Sequence, residues 1–276
     1  MTAFLLFASH AAGRVHAERR DSLPLTGFHS LLWVGAHPDD EVLAAPLLAS
    51  LCLEQKVHCS FLVLTRGEAG LCAAPEGCNG DLATIRSGEE AAAAEWFRAD
   101  LFLLRYPDGG ASADGSFEAW EALAGGRDAL ISSIAGFIGA SGADLVVTFD
   151  PRHGSTCHSD HRATGALVIE AMKLVHPAPE LYLLETRVTI GTQPLEIRFT
   201  PAADPAEGVS RLDGNVGLPG IGRTRWEAMI EDMQLHRSQF GADWIAAVRN
   251  TPVPEQALFL SRAAVALQSP AIGGCR

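Results

Sequence analysis

The feature that most constrains the fold is a pair of continuous apolar runs, each of which leads into a cluster of polar residues. Residues 31–36 read Leu-Leu-Trp-Val-Gly-Ala, and residues 145–149 read Leu-Val-Val-Thr-Phe. Apolar runs of this length without polar alternation are typical of strands that are buried on both faces, as in a parallel sheet. The two runs therefore indicate the centre of an α/β domain.

The rest of the chain alternates between strand-like and helical patterns. Strands are predicted at residues 30–36, 57–65, 101–104, 143–149, 181–188 and 195–200. Helices are predicted at residues 40–55, 82–98, 117–139 with a break near Gly125-Gly126, 161–175 and 223–240. This alternation predicts parallel strands joined by right-handed helical crossovers.

The length of 276 residues, 47% of them hydrophobic, is sufficient for one large domain with its own core. We therefore predict a single Rossmann-like three-layer α/β domain with a mostly parallel sheet. Residues 1–28 are expected to form an N-terminal arm or helix, and residues 241–276 a C-terminal extension.

Composition and charge argue against several classes of protein. The net charge of -12 disfavours a nucleic-acid partner, which requires a basic surface. No apolar run reaches the ~18 residues of a transmembrane helix. Residues 3–8 are apolar, but no basic residue precedes them, so a cytoplasmic protein is expected in preference to a secreted one. The six cysteines contain no CxxC pair, so a structural zinc knuckle is not expected. Whether Cys72 and Cys78 form a disulfide is left open.

Polar residues follow four of the predicted strands at what should be the same edge of the sheet. Residues 37–41, His-Pro-Asp-Asp-Glu, follow the first strand, and residues 158–161, His-Ser-Asp-His, follow the fourth. Arg66 follows the second strand and Asp108 the third. Open parallel sheets bind their ligands beyond the carboxyl ends of the strands. The sequence therefore predicts a functional site at this edge.

Three of these residues form a set of metal ligands. His37, Asp40 and His161 offer two imidazoles and a carboxylate, which zinc accepts while a position stays open for water. Fe²⁺ is compatible with the same ligand types. Alone, a loop histidine or an acidic residue at a helix N-terminus requires no metal. Their common location on the predicted edge favours one metal site.

The motif at residues 36–41, Ala-His-Pro-Asp-Asp-Glu, resembles the signature of the zinc-dependent N-acetylglucosaminyl deacetylases of the PIG-L/LmbE-like family. Further segments resemble later family motifs in the same order, at residues 65–70, 86–90, 107–109, 158–163 and 236–239. The resemblance implies an LmbE-like fold. It also implies hydrolysis of an N-acetyl amide on a small molecule that contains N-acetylglucosamine, with release of acetate and a free amine.

The resemblance also implies roles for the site residues. It implies one Zn²⁺ per chain, held by three residues: His37, Asp40 and His161. It implies that Asp39 is the general base and that His158 is the general acid or the stabiliser of the oxyanion. A carboxylate that is not a ligand can accept a proton, and an imidazolium can donate one. Asp160 is expected to orient His158 and to favour its charged form, or to cap a helix.

The substrate contacts are less specific. Arg66 can fork onto hydroxyl groups or an anionic substituent, or form a salt bridge with Glu68 or Asp108. By resemblance Asp108 binds sugar hydroxyls, although a Pro-Asp-Gly segment also suits a simple turn. Glu41 is expected to hydrogen-bond a ligand histidine, or to lie in a first helical turn. His236 is expected to pack against the core or a loop.

Other functions remain open. An amidase that acts on a larger amide, such as a mycothiol conjugate or an antibiotic precursor, would need the same catalytic residues. A catalytically inactive sugar-binding protein on the same fold would be expected to lack Asp39 or His158, and both are present. A nucleotide-binding domain is disfavoured because no GxGxxG motif follows the first strand.

Overall fold

The computed structural model describes residues 25–112, 117–192, 195–201 and 208–263. The strands, in chain order, are β1 Ser30–Gly35, β2 His58–Thr65, β3 Ala99–Tyr106, β4 Leu145–Phe149, β5 Glu180–Leu184, β6 Thr186–Thr192, β7 Leu195–Pro201, β8 Val209–Asp213, β9 Gly217–Leu218, β10 Arg223–Thr224 and β11 Ala257–Ala263. The α-helices are α1 Ala45–Leu48, α2 Leu82–Phe97, α3 Glu118–Ala124, α4 Arg127–Ser141, α5 Gly154–Cys157, α6 Ser159–Met172, α7 Arg225–Met233 and α8 Ala242–Arg249. Most of the predicted N-terminal arm, residues 1–24, lies outside the described residues.

Within these residues, a seven-stranded sheet has the order β3-β2-β1-β4-β5-β11-β8. The first five strands in that order are parallel to one another, and β11 is antiparallel to both β5 and β8. The predicted α/β fold with a mostly parallel sheet is therefore confirmed.

Helices cover both faces of the sheet, and the side chains of β1 show why the chain folds in this way. Leu31 and Trp33 belong to one hydrophobic core, whereas Leu32 and Val34, which alternate with them, belong to the other. All four are almost completely buried. A strand with two buried faces requires a layer of helices on each side. Here α1 and α7 contribute to the first core, and α4 and α6 to the second.

Strand β1 pairs with β2 on one side and with β4 on the other. The chain leaves β1 for β2 and returns to the other side of β1 as β4, so the strand order reverses between β1 and β4. In open α/β sheets a crevice forms at such a switch point, beyond the carboxyl ends of the strands. The two polar motifs predicted to form the site follow these two strands.

Three predicted elements differ from the structure. The helix predicted at residues 40–55 is divided into a 3-10 turn Asp40–Leu43, helix α1 and a π-helical turn Ala49–Glu54. The left-handed conformation of Asp39, with φ of 99°, precedes the first turn. The strand predicted at 181–188 is interrupted at Glu185, and β6 leaves the central sheet to pair with β7. The helix predicted at 223–240 begins at Arg225 and ends at Met233.

The C-terminal segment also differs from the expectation of an extension over residues 241–276. Helix α8 and strand β11 both lie in this segment, and β11 is inserted between β5 and β8 in the central sheet. Residues 242–263 therefore contain elements of the fold itself, while residues 264–276 lie outside the described part of the chain.

Two disulfides join cysteines of the described residues. Cys72 pairs with Cys78, a pairing that the sequence left open, and Cys52 pairs with Cys59. The first disulfide closes the loop between β2 and α2. Among the helices that the structure describes, none has the length and apolar character needed to cross a membrane.

Candidate metal centre and active site

The three predicted metal ligands converge at the carboxyl ends of β1 and β4. His37 follows β1, Asp40 begins the adjacent 3-10 turn, and His161 lies in the first turn of α6. The Nε2 atom of His161 is 2.9 Å from Oδ1 of Asp40. The Nδ1 atom of His37 is 3.7 Å from the same oxygen. All three residues are buried.

The ring nitrogens that face away from this cluster have other partners. Nε2 of His37 lies 3.1 Å from Oδ1 of Asp108 and 3.2 Å from Oδ2 of Asp160. Nδ1 of His161 lies 2.9 Å from the carbonyl oxygen of Gly154. An N–H that donates to these oxygens leaves the lone pair of the other nitrogen directed into the cluster, as metal-bound histidines require.

The two carboxylate oxygens of Asp40 also have different partners. Its Oδ2 accepts hydrogen bonds from the backbone amides of Ala36 and His37, at 2.7 and 2.8 Å. Its Oδ1 is the oxygen that faces the imidazoles of His37 and His161. Ligands about 2.0–2.2 Å from a tetrahedral ion lie roughly 3.3–3.6 Å apart. The donor set, its outer hydrogen bonds and its two separations from Oδ1 of Asp40 are therefore compatible with a divalent cation such as zinc.

The charges around His37 favour the binding of a cation within the cluster of His37, Asp40 and His161. Burial acts to lower the pKa of His37, but the carboxylates around it, foremost Asp40, raise it well above its usual value. Burial acts to raise the pKa of Asp40, and the imidazoles of His161 and His37 hold it well below its usual range. Burial opposes ionisation of Asp108 as well, yet its contacts with His37 lower its pKa to about 2. Negative charge is thus concentrated around the cluster.

The predicted base, Asp39, lies beside the ligands in a left-handed backbone conformation. Its backbone amide donates to Oε2 of Glu90 at 3.2 Å, and its Oδ1 is 3.2 Å from Nη2 of Arg86. Burial raises the pKa of Asp39 to about 6, although the charge of Arg86 acts to lower it. A carboxyl group whose pKa is close to neutral is suited to accept and release protons.

The arginine of the candidate site is Arg86, which lies in the motif at residues 86–90 but was not among the predicted site residues. Its Nη2 donates to the carbonyl oxygen of Pro38 at 2.6 Å, and its Nη1 to that of Gly67 at 3.0 Å. Gly67 has a φ of +66°, and a Cβ atom there would lie 2.3 Å from the guanidinium group. Glycine is therefore required for this approach.

Arg66, which was expected to contact substrate, is half-buried and is not among the described residues that line the cavity. Asp108, the other predicted substrate contact, does line it. Its Oδ2 accepts from the amide of Ala69 at 2.8 Å, and its Oδ1 contacts His37. The carboxylate of Asp108 thus has protein partners at both oxygens.

The contact expected between the carboxylate of Asp160 and His158 is not the one observed. That carboxylate contacts Nε2 of His37 and accepts from the amides of Gly109 and Ala111, at 2.7 and 2.9 Å. It is instead the backbone amide of Asp160 that donates to Nδ1 of His158, at 3.3 Å. Asp160 therefore orients a predicted ligand rather than the predicted acid.

The charge expected on His158 differs as well. Desolvation in the cavity, followed by the charges of His161 and His37, lowers the pKa of His158 to about 4. The imidazole is therefore neutral at pH 7. Because its Nδ1 accepts a hydrogen bond from the backbone, its proton belongs on Nε2. In this state His158 is a neutral hydrogen-bond donor.

Glu41 was expected to contact a ligand histidine, but in the structure it contacts His236 instead. Both side chains are completely buried, and Nε2 of His236 forms a short hydrogen bond with Oε1 of Glu41. Glu90 and Asp232 are also completely buried beside them. His236, expected to pack against the core or a loop, is thus the cation of a buried acidic cluster. Glu41 is 195 positions away in sequence, whereas Asp232 lies in the preceding turn of the same segment.

The site opens into a cavity of about 380 Å³, a volume suited to a small molecule. Its polar lining includes His37, Asp39, Asp40, Arg86, Asp108, His158 and His161, together with Thr156, whose hydroxyl lies 3.2 Å from Nδ1 of His161. Its apolar lining includes Leu43, Val188, Ile190, Phe240 and Trp244. Gln239, which lies beside Phe240, also lines the cavity.

Residues 32–172, just over half of the chain, match PIG-L, the family described as GlcNAc-PI de-N-acetylase. The chain therefore belongs to the PIG-L family, as the resemblance of its motifs predicts. No curated protein matches the sequence.

Several solved structures share the fold at low sequence identity. N,N'-diacetylchitobiose deacetylase from Pyrococcus horikoshii, in complex with its inhibitor MPG, has a TM-score of 0.61 at 18% identity, over 88% of this chain and 86% of that chain. A deacetylase–teicoplanin complex from teicoplanin biosynthesis has a TM-score of 0.54 at 16% identity, over 85% and 98%. GalB, the 4-carboxy-2-hydroxymuconate hydratase from Pseudomonas putida KT2440, has a TM-score of 0.56 at 18% identity, over 87% and 98%.

Because the neighbours include a hydratase, the fold by itself does not define the reaction. The reaction has to be argued from the family and from the residues of the site.

Proposed function

We propose that the protein is a zinc-dependent N-deacetylase that hydrolyses an N-acetyl amide on a small molecule containing N-acetylglucosamine. The observation that carries this proposal is the convergence of His37, Asp40 and His161 beside the carboxylate of Asp39, which is not one of the predicted ligands. Membership of the PIG-L family supports a deacetylase. A larger amide, such as an antibiotic precursor, is the alternative substrate.

His37, Asp40 and His161 would hold the ion, with Fe²⁺ as the alternative to zinc. When bound, zinc polarises an amide carbonyl and lowers the pKa of water from 15.7 to about 7. Asp108 and Asp160 hold the imidazole of His37 in the orientation that presents Nδ1. Asp160 thus acts on the reaction through a ligand.

Asp39 accepts the proton of the attacking water in this proposal. Its carboxylate lines the cavity and is positioned by Arg86, and its pKa of about 6 lets it hold that proton until the amine departs. The proton passes to the leaving nitrogen as the C–N bond breaks. The products are acetate and a free amine.

His158 stabilises the oxyanion that forms when the carbonyl carbon becomes tetrahedral. The neutral imidazole lines the cavity, and the hydrogen bond from the amide of Asp160 to Nδ1 leaves Nε2 as the donor. A preorganised donor of this kind strengthens its bond as negative charge develops. This assigns His158 the second of its two predicted roles.

The test combines acetate release from a panel of N-acetylglucosaminyl conjugates with metal analysis of the same preparation. Asp39→Ala should retain zinc and lose most turnover, whereas His37→Ala should lose zinc and turnover together. Asp100→Ala, on an exposed side chain, serves as the control. Zinc-loaded Asp39→Ala that turns over at the wild-type rate would contradict the base assignment. Zinc-loaded wild type that binds the conjugates without releasing acetate would favour an inactive sugar-binding protein.

The location of the protein also belongs to this proposal. The sequence predicts a cytoplasmic protein, but Cys72–Cys78 and Cys52–Cys59 are paired, and disulfides persist in oxidising compartments. We infer that the protein acts outside the reducing cytoplasm. Thiol titration of unfolded protein purified without reductant tests this inference. Free thiols on these four cysteines would contradict the inference and favour the cytoplasmic location predicted from the sequence.

A further inference from the structure

Asp39, the proposed base, has an unusual backbone conformation for a residue that carries a side chain. Its φ of 99° lies in the left-handed region, which costs free energy for any residue other than glycine. Such a conformation persists only where the surrounding groups fix it. A rotation of this backbone would also move the carboxylate of Asp39 away from the candidate metal ligands. The contacts that hold the backbone of Asp39 therefore bear on its proposed role as the base.

Helix α2 contacts Asp39 through two side chains that lie one turn apart. Arg86 contacts the carboxylate of Asp39 and donates to the carbonyl oxygen of Pro38. Glu90 accepts a hydrogen bond from the backbone amide of Asp39, through Oε2 at 3.2 Å. Because residues four apart lie on the same face of a helix, a single rigid element holds both the side chain and the backbone of Asp39.

Glu90 is itself fixed by its surroundings. Its side chain is completely buried beside Glu41, in the acidic cluster that contains His236. Burial, followed by the charge of Glu41, raises the pKa of Glu90 well above its usual range, which favours the protonated form. A protonated Glu90 donates to Glu41 through one oxygen and accepts from the amide of Asp39 through the other. The contact with Asp39 is therefore anchored in the core of the protein.

We propose that Glu90 is a positioning residue, which holds the backbone of Asp39 so that the carboxylate of Asp39 stays in place beside the candidate metal ligands. The proposal rests on the function proposed above, in which Asp39 is the base. Glu90 is not among the described residues that line the cavity, so it acts through Asp39 and not on the substrate. Its contribution should therefore be seen in kcat rather than in KM.

The first experiment measures acetate release by zinc-loaded variants at position 90. Glu90→Met keeps the length of the side chain but offers the amide of Asp39 no oxygen acceptor. We expect its kcat to fall about 100-fold, with KM within about twofold of wild type and zinc content unchanged. Glu90→Gln has a carbonyl oxygen for Asp39 and an NH2 group for Glu41, so its kcat should stay within about threefold of wild type. A wild-type kcat in Glu90→Met, or an equal loss in both variants, would overturn the proposal.

The second experiment does not depend on activity. Hydrogen exchange of the Asp39 amide, followed by NMR, should be about tenfold faster in Glu90→Met than in wild type, and unchanged in Glu90→Gln. The amide of Ser238 is the internal reference, because it donates to Glu89 on the same helix at 2.8 Å. This pattern of exchange without any acetate release from wild type would reject the deacetylase and keep the contact. Acetate release with equal exchange in all three proteins would reject the role of Glu90 and keep the deacetylase.

Two controls separate positioning from stability. Glu95→Met makes the same substitution at an exposed position of α2, and should match wild type in both kcat and the exchange of the Asp39 amide. Urea titration of each variant gives the fraction that is unfolded under the assay conditions. A fall in kcat that this unfolded fraction fully accounts for would assign Glu90 to stability alone and overturn the proposal. A fall in kcat in well-folded Glu90→Met, restored in Glu90→Gln, is the expected result.

Discussion

The carboxylate of Asp160 lies 3.2 Å from Nε2 of His37, across 123 positions of sequence. Backbone amides of Gly109 and Ala111 donate to the same carboxylate, which has a side-chain exposure of 0%. The ring of His37 is thus oriented by a group whose own position is determined by a different segment of the chain. This arrangement leaves Nδ1 of His37 facing Asp40.

The first prediction concerns this contact. In Asp160→Asn one of the carboxylate oxygens becomes an NH2 group, so either His37 or an amide donor loses its acceptor. Loss of an outer hydrogen bond to a ligand histidine typically weakens metal affinity about 10–100-fold. We expect a weakening in that range, measured by competition with a chelator. Asp100→Asn, at an exposed site, should bind zinc as wild type does; equal affinities for all three proteins would contradict the role of Asp160.

The second prediction tests which of the two arginines, Arg86 or Arg66, supports catalysis. Arg86→Met removes the guanidinium group that holds Asp39, Pro38 and Gly67 together. Displacement of a catalytic group by about 1 Å can cost ~10²-fold in rate. We expect kcat to fall about 100-fold with zinc content unchanged. Arg66→Met, outside the cavity, should leave kcat within about twofold; the opposite ranking would restore Arg66 as the site arginine.

The third prediction concerns the buried pair of Glu41 and His236. His236→Ala leaves Glu41 without its hydrogen-bond partner at a completely buried position. Removal of one member of a buried ion pair costs ~3–5 kcal/mol. We expect the free energy of unfolding, from urea titration, to fall by about 3 kcal/mol. The control is His58→Ala, since His58 faces Asp100 on the surface. A surface pair of this kind contributes ~0–1 kcal/mol, so similar losses in both variants would contradict the prediction.

The fourth prediction concerns pH. Burial raises the pKa of Asp232 well above 3.8, so the folded protein favours its protonated form. The stability that this provides is complete below the pKa of the unfolded chain and is lost as the pH rises through the folded pKa. Asp232→Asn does not ionise. Its stability relative to wild type should therefore increase from pH 5 to pH 9 in urea titrations; a difference independent of pH would show that Asp232 is not protonated in the fold.

That residues 37–41 and 158–161 lie together was predictable, because their proximity depends on backbone topology alone. Parallel strands bring residues 37–41 and 158–161 to one edge once β1 and β4 are adjacent. The partners of individual atoms were not predictable in the same way. Glu41 directly follows Asp40, yet the two side chains contact different parts of the protein. Which partner each finds depends on helices that are remote in sequence.

Arg66 and Arg86 illustrate the same limit. Arg66 directly follows β2, which favoured it as a site residue, whereas Arg86 lies within α2. The left-handed Gly67 leaves room for the side chain of Arg86 to approach Asp39. A helical arginine that is almost completely buried needs acceptors, and this requirement is visible only after the helix has been packed.

The insertion of β11 between β5 and β8 has a consequence for biosynthesis. Until residues 257–263 have left the ribosome, β5 carries an open hydrogen-bonding edge, and β8 has no place in the sheet. Open edges of this kind recruit strands from other chains. A product that stops short of Ala257 would therefore display a ready-made template for aggregation, although every residue of the candidate metal centre had already been made.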